Sequence, residues 1–115
     1  MADSDASQTQ ATRAVEDPSA QAVARVYADA FLNAAGETAT DDLAEFKSFL
    51  DDVLAKNPEF EAIFYSGVLS RDDKVGLVDR VVGPLATARF TSFLHVLVHH
   101  DRLELLPVIY RESEI

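Results

Sequence analysis

From Val23 the apolar residues return at 23, 26, 27, 30, 31 and 34, which is the 3.6-residue period of one helix face. The period comes back in Leu43, Phe46, Leu50, Val53 and Leu54, with Phe49 widening the stripe. It comes back again in Phe90, Phe93, Leu94, Leu97 and Val98, and last in Leu105, Leu106, Ile109 and Tyr110. Breakers between these stretches are few. Four glycines and four prolines serve 115 residues, and no Asn-Gly or Asp-Gly pair offers a tight hairpin turn. With 48% of residues apolar, the chain can bury one core but not two. The pattern predicts an all-α fold, a single antiparallel-type bundle of six helices over residues 18–115.

The helix boundaries follow from the punctuation. Asp17-Pro18 supplies an N-cap and a first-turn proline, and Gly36 supplies a left-handed stop. Thr40 is the expected cap of the second helix, with Asp41 and Asp42 at the positive end of its dipole. Asn57-Pro58 opens a short third helix through Phe60, Ile63 and Phe64, closing near Gly67. Ser70-Arg71-Asp72-Asp73 resembles a capping box for a fourth helix carrying Val75, Val78, Val81 and Val82, stopped by Gly83-Pro84. Asp101 and Glu104 have capping-box spacing for the sixth. Phe31, Phe93 and Leu97 are expected to be buried together, linking the first and fifth helices. Residues 1–17 are small, polar and acidic, with no leucine, isoleucine or aromatic residue, so they read as a disordered arm.

Charge narrows the function. Twenty acids against ten bases give a net charge of −10, which argues against a nucleic-acid partner and against docking on an anionic membrane. No apolar run approaches the ~20 residues that span a bilayer. Without cysteine there is no thiolate ligand or thiol nucleophile. From Glu37 to Glu61 eight acids face two lysines, an exposed acidic face. The pairs Asp41-Asp42, Asp51-Asp52 and Asp72-Asp73 are adjacent in sequence and point in different helical directions, as first turns and solvated faces do. His95, His100 and Asp101 could form the start of a small metal-dependent hydrolase. Such a site draws histidines from separate helices, whereas His95, His99 and His100 share one. No phosphate-binding glycine loop or nucleophile elbow is present. The expectation is no catalytic residue, no cofactor and no metal.

What remains is surface. Ser92, Val96 and His100 are spaced by four and stack beside the core stripe of the fifth helix, with Val96 in the middle of a polar row. The first helix is rich in alanine (20, 22, 24, 28, 30, 34, 35), which allows another helix to approach closely.

Ala24-Arg25-Val26-Tyr27-Ala28-Asp29-Ala30-Phe31 resembles the opening helix of the rotary ATP synthase delta subunit, the oligomycin-sensitivity-conferring protein of mitochondria. Asn57-Pro58, and Lys74 after the Ser70 cap, fit the same family. So do Phe93-Leu94-x-x-Leu97 and His99-His100-Asp101-Arg102-Leu103-x-Leu105-Leu106-Pro107-x-Ile109. Family members often have glycine where Asp101 stands. The resemblance implies a six-helix N-terminal domain, with the family's C-terminal domain, which binds the b subunit of the peripheral stalk, beyond the end of this sequence. It implies a non-catalytic stator role in proton-driven ATP synthesis, on the cytoplasmic face of a bacterial membrane. It also implies a groove between the first and fifth helices that takes the N-terminal helix of an alpha subunit, with Tyr27, Ala30, Ser92, Val96 and His100 as its walls. An adaptor domain for another amphipathic helix would look the same at this level.

Overall fold

The computed structural model describes residues 18–114; the arm expected over residues 1–17 lies outside the described residues. Helix α1 is Pro18–Ala35 and α2 is Ala39–Ser48. Helix α3 is Pro58–Phe64, α4 is Arg71–Leu77, α5 is Ala88–His99 and α6 is Leu106–Ser113. Among the described residues every element is helical and no strand occurs. The division into six separate helices holds only in part. A 3₁₀ turn at Gly36–Thr38 carries α1 into α2 without a loop, and α2 and α4 run on into π-helical turns at Phe49–Leu54 and Val78–Val82.

These irregular turns have a packing reason. In an α-helix residues five apart lie on different faces, yet Phe49 and Leu54 are both buried. The wide turn, closed by Ala55 N–H to the Leu50 carbonyl at 3.0 Å, brings them to one side. At the end of α4, Gly83 N–H reaches the Val78 carbonyl at 2.9 Å, and a Cβ on Gly83 would lie 2.7 Å from the Asp79 carbonyl oxygen. Only glycine fits that close approach.

Helix α1 lies along α6, and it buries Ala24, Ala28, Phe31 and Ala35. The buried face is therefore rotated from the predicted stripe. Val26 is 66% exposed, and Ala30 and Ala34 face solvent. The inward alanines let the two helices approach closely, and Arg25 Nε donates to Glu112 Oε1 at 3.2 Å across the same seam.

The centre is an aromatic cluster around Phe46 of α2. Its ring meets Phe31 of α1 at 5.4 Å, Phe90 and Phe93 of α5 at 5.6 and 6.0 Å, and Tyr110 of α6 at 5.2 Å. Such tilted and edge-on pairs match positive ring edges to negative faces. Phe31 and Leu97 are buried as expected, but Phe93 is only half-buried, because one side of its ring faces a groove.

Two caps differ from the sequence reading, and a third, at α5, was not part of it. Thr38, not Thr40, precedes α2. Helix α5 is capped by Thr87, whose hydroxyl accepts from Phe90 N–H, while Glu45 of α2 accepts both the Thr87 N–H (2.7 Å) and its hydroxyl (2.8 Å). Asp101 does not cap α6. It sits in the left-handed region at φ 55°, with its N–H on the Val98 carbonyl and Arg102 N–H on the Leu97 carbonyl. That is a Schellman end for α5, the position at which glycine is favoured. Freed of that cap, α6 begins at Leu106, with Pro107 in its first turn where no N–H is missed.

Replacing Asp101 by glycine should stabilise the domain by about 1 kcal/mol, since only the left-handed strain changes and the exposed contact to Arg71 at 3.3 Å contributes little. A thermal melt checks this. A lower melting temperature for Asp101→Gly would mean that the aspartate side chain holds the turn.

Candidate functional site

Helices α1 and α5 run antiparallel: Tyr27 stands by His100, Phe31 by Phe93, and Thr38, just past α1, by Arg89. Each helix points its larger residues toward the core, and the facing flanks meet at the Phe31 and Phe93 rings, 5.0 Å apart. Above this floor lies an open trough of about 290 Å³. Tyr27, Ala30 and Ala34 form one wall, and Arg89, Ser92 and Val96 the other. Val96 is 44% exposed, an apolar side chain left half in water by the isolated chain. Val26, one turn before Ala30, extends the apolar surface along the α1 rim.

Four of the five residues expected at a binding surface, Tyr27, Ala30, Ser92 and Val96, thus line one trough. The fifth, His100, is outside that lining, at the trough's open end with its ring 6.1 Å from that of Tyr27. Tyr27 is half-buried and belongs to both core and trough.

The opposite end is closed by an ion pair that the sequence reading missed. Arg89 Nε donates to Asp42 Oδ2 at 2.6 Å. Its Nη2 donates to Asp42 Oδ1 and to Thr38 Oγ1, both at 2.9 Å. The Thr38 hydroxyl in turn donates to the Ala35 carbonyl at 2.9 Å. Asp42 is only 6% exposed, so it is not the solvated first-turn acid expected of it. The one available signal was its spacing: Asp42 lies four residues before Phe46 and shares its inward face. Its partner, 47 positions away, could not be read from spacing. The Arg89 guanidinium holds the Asp42 carboxyl below the usual carboxylate range, against the opposing effect of burial, and Asp42 raises Arg89 in return.

The histidines do not converge. His95 Nε2 lies 2.7 Å from Asp79 Oδ1, His99 is exposed, and His100 turns to Tyr27. Asp101 reaches Arg71 instead. Among the described residues no group of three or more His, Asp or Glu side chains is placed to hold a metal ion. Nor is any helix among them long and apolar enough to cross a membrane.

Comparison with known proteins places the chain among relatives. The model of the ATP synthase delta (OSCP) subunit family matches residues 23–114. The chain is 33% identical over 97 residues to a protein of Stutzerimonas stutzeri (strain A1501) named ATP synthase subunit delta, covering 82% of this chain and 53% of that one. It therefore spans about half the length of this curated relative. No solved structure matches at a significant level.

The ion pair makes an acid-stability prediction. A depressed folded-state pKa contributes stability that is complete above the unfolded value, near pH 4, and is lost as pH falls through the folded value. The double variant Asp42→Leu/Arg89→Met should lack that part of the acid loss. Urea melts of both proteins from pH 6 to pH 2.5 measure it; parallel pH curves would show that the pair contributes no such linkage.

Proposed function

The chain belongs to the ATP synthase delta (OSCP) subunit family, and from that premise we propose that it is a non-catalytic stator component whose α1–α5 trough binds the N-terminal helix of an alpha subunit. Residues 18–115 then correspond to the family's N-terminal domain. Contact with the b subunit of the peripheral stalk belongs in this reading to the family's C-terminal domain. The complex it joins sits on the cytoplasmic face of a bacterial membrane, and this chain ties the catalytic head to the stalk while the rotor turns.

The observation that carries the reading is the trough itself: an open apolar cleft about three helical turns long, between the first and fifth helices, with a half-exposed valine at its middle. Helix-in-groove recognition needs an apolar floor, small residues on a wall so that backbones approach, and anchors at i, i+3 and i+4 spacing. Phe31 and Phe93 supply the floor, Ala30 and Ala34 the small wall, and Tyr27 and Val96 the contacts on either side. A protein with a net charge of −10 offers little to an extended polyanion or an anionic membrane. An adaptor for a different amphipathic helix would present the same trough, and the identity of the peptide that binds separates the two.

The test is Val96→Asp. A carboxylate covered by a docked helix would be desolvated without a partner, so affinity for an alpha-subunit N-terminal peptide should fall by at least about 30-fold, or ~2 kcal/mol. The free protein should melt within a few degrees of wild type, because the site is already half exposed and the helix-propensity cost is about half a kcal/mol. Calorimetric titration and a melt on the same sample measure both effects. Normal binding by the variant would remove α5 from the interface.

A further inference from the structure

We infer that Arg89 fixes the direction of a helix in the trough: the docked helix ends at Arg89, its last-turn carbonyl oxygens accept from the guanidinium, and it lies parallel to α1. This rests on the reading above that the trough takes a helix.

The walls themselves carry no directional preference. Helices α1 and α5 are antiparallel, so their dipoles oppose each other along the trough. Direction must come from the ends, and the ends differ. At one end Tyr27 and His100 leave the trough open. At the other, Asp42 of α2 reaches across to Arg89 of α5, and Thr38 joins them. Along α5, Arg89 to His100 is about 17 Å at 1.5 Å per residue, so a docked helix of about three turns has one terminus against the bridge.

A guanidinium has five N–H groups. Nε uses its one on Asp42, and Nη2 uses its two on Asp42 and Thr38. The two on Nη1 meet no acceptor among the described residues, and the Arg89 side chain is 45% exposed. A helix seated in the trough strips water from this corner, and donors left covered and unpaired are costly. The first turn of a helix brings only more free N–H groups and the positive end of the dipole. The last turn brings free carbonyl oxygens and the negative end. Two carboxylates face the guanidinium, Asp42 and Glu45, and neither offers a free oxygen to the N–H groups of a helix first turn: Asp42 is buried with both oxygens on Arg89, and Glu45 has both on Thr87. Pinned by Asp42 on one edge, the guanidinium is already oriented to receive the helix C-terminus.

The experiment uses the 15N-labelled chain and a C-terminally amidated peptide of the alpha-subunit N-terminal segment, with a nitroxide on its first or its last helical residue. The last-residue label should broaden the amides of Thr38 and of Thr87 through Phe90. The first-residue label should broaden those of Val98 through His100. The reverse pattern overturns the direction and leaves the trough reading standing. A saturating peptide that shifts neither the Ala30 nor the Val96 amide overturns both. As a second measurement, Asp42→Leu/Arg89→Met removes the donors without stranding a buried charge and should bind about tenfold more weakly. Unchanged affinity in that folded variant would overturn the role given to Arg89.

Discussion

The Phe46 ring is what the other helices are arranged around. It is fully buried and meets aromatic side chains from α1, α5 and α6, so α2 acts as the pin through three neighbours. Small helical domains have little apolar area to spare, and an aromatic hub concentrates it where four elements meet. One turn earlier on the same face, Asp42 carries the pin to the surface and ties it to Arg89. The same helix thus positions the floor of the trough from below and closes its end from the side. Glu45, between them, caps the start of α5 through Thr87. Three residues of one turn of α2 decide where α5 begins, how deep it sits and what its first turn faces.

The trough follows from a mismatch in side-chain size. Helix α1 buries Ala24 and Ala28 in the core shared with α6 and packs closely along it. Toward α5, the Phe31 and Phe93 rings meet, and the alanines at 30 and 34 cannot fill the space above them. One alanine-rich helix therefore does two things: its inward alanines bring it onto α6, and its outward ones leave a cleft. The general reading, that alanines allow close helix approach, was right for this helix but applied first to the neighbour inside the fold.

Periodicity made the helical class and most boundaries legible, because a 3.6-residue repeat and a proline or glycine at its edge are local facts. Pro18, Gly36, Asn57-Pro58, Ser70 and Gly83 sit where their backbone chemistry put them. Three things were not legible, two because they depend on packing and one because a single residue could serve two helix ends. The π turns at Phe49–Leu54 and Val78–Val82 answer to burial, which spacing alone describes as an ordinary stripe. The true face of α1 is set by α6, eighty residues on, and a stripe that includes Val26, Ala30 and Ala34 is equally periodic. Asp101 had two competing roles, cap of the next helix or left-handed end of the last, and the hydrogen bonds from its own N–H and from Arg102 N–H chose the second. For the candidate site, the two helices and four wall residues came from spacing and resemblance. The ion pair that closes the trough came only from the fold.

In the stator reading this architecture has a mechanical consequence. A contact that resists torque must not yield by rearranging, and affinity is lost whenever a binding surface has to order itself first. The trough floor is the Phe31–Phe93 contact, and both rings also pack on Phe46, so the floor cannot tilt without disturbing the core. Its closed end is an ion pair with one partner buried and a threonine holding the fork in plane. Only the Tyr27–His100 end is left open, with exposed Val26 one residue before Tyr27. A docked helix would rest on this core-backed floor and run out over the open end. In the direction inferred above, the rest of the alpha subunit follows the last residue of that helix, so the load would enter at the closed end, where Arg89 is tied through Asp42 to the core.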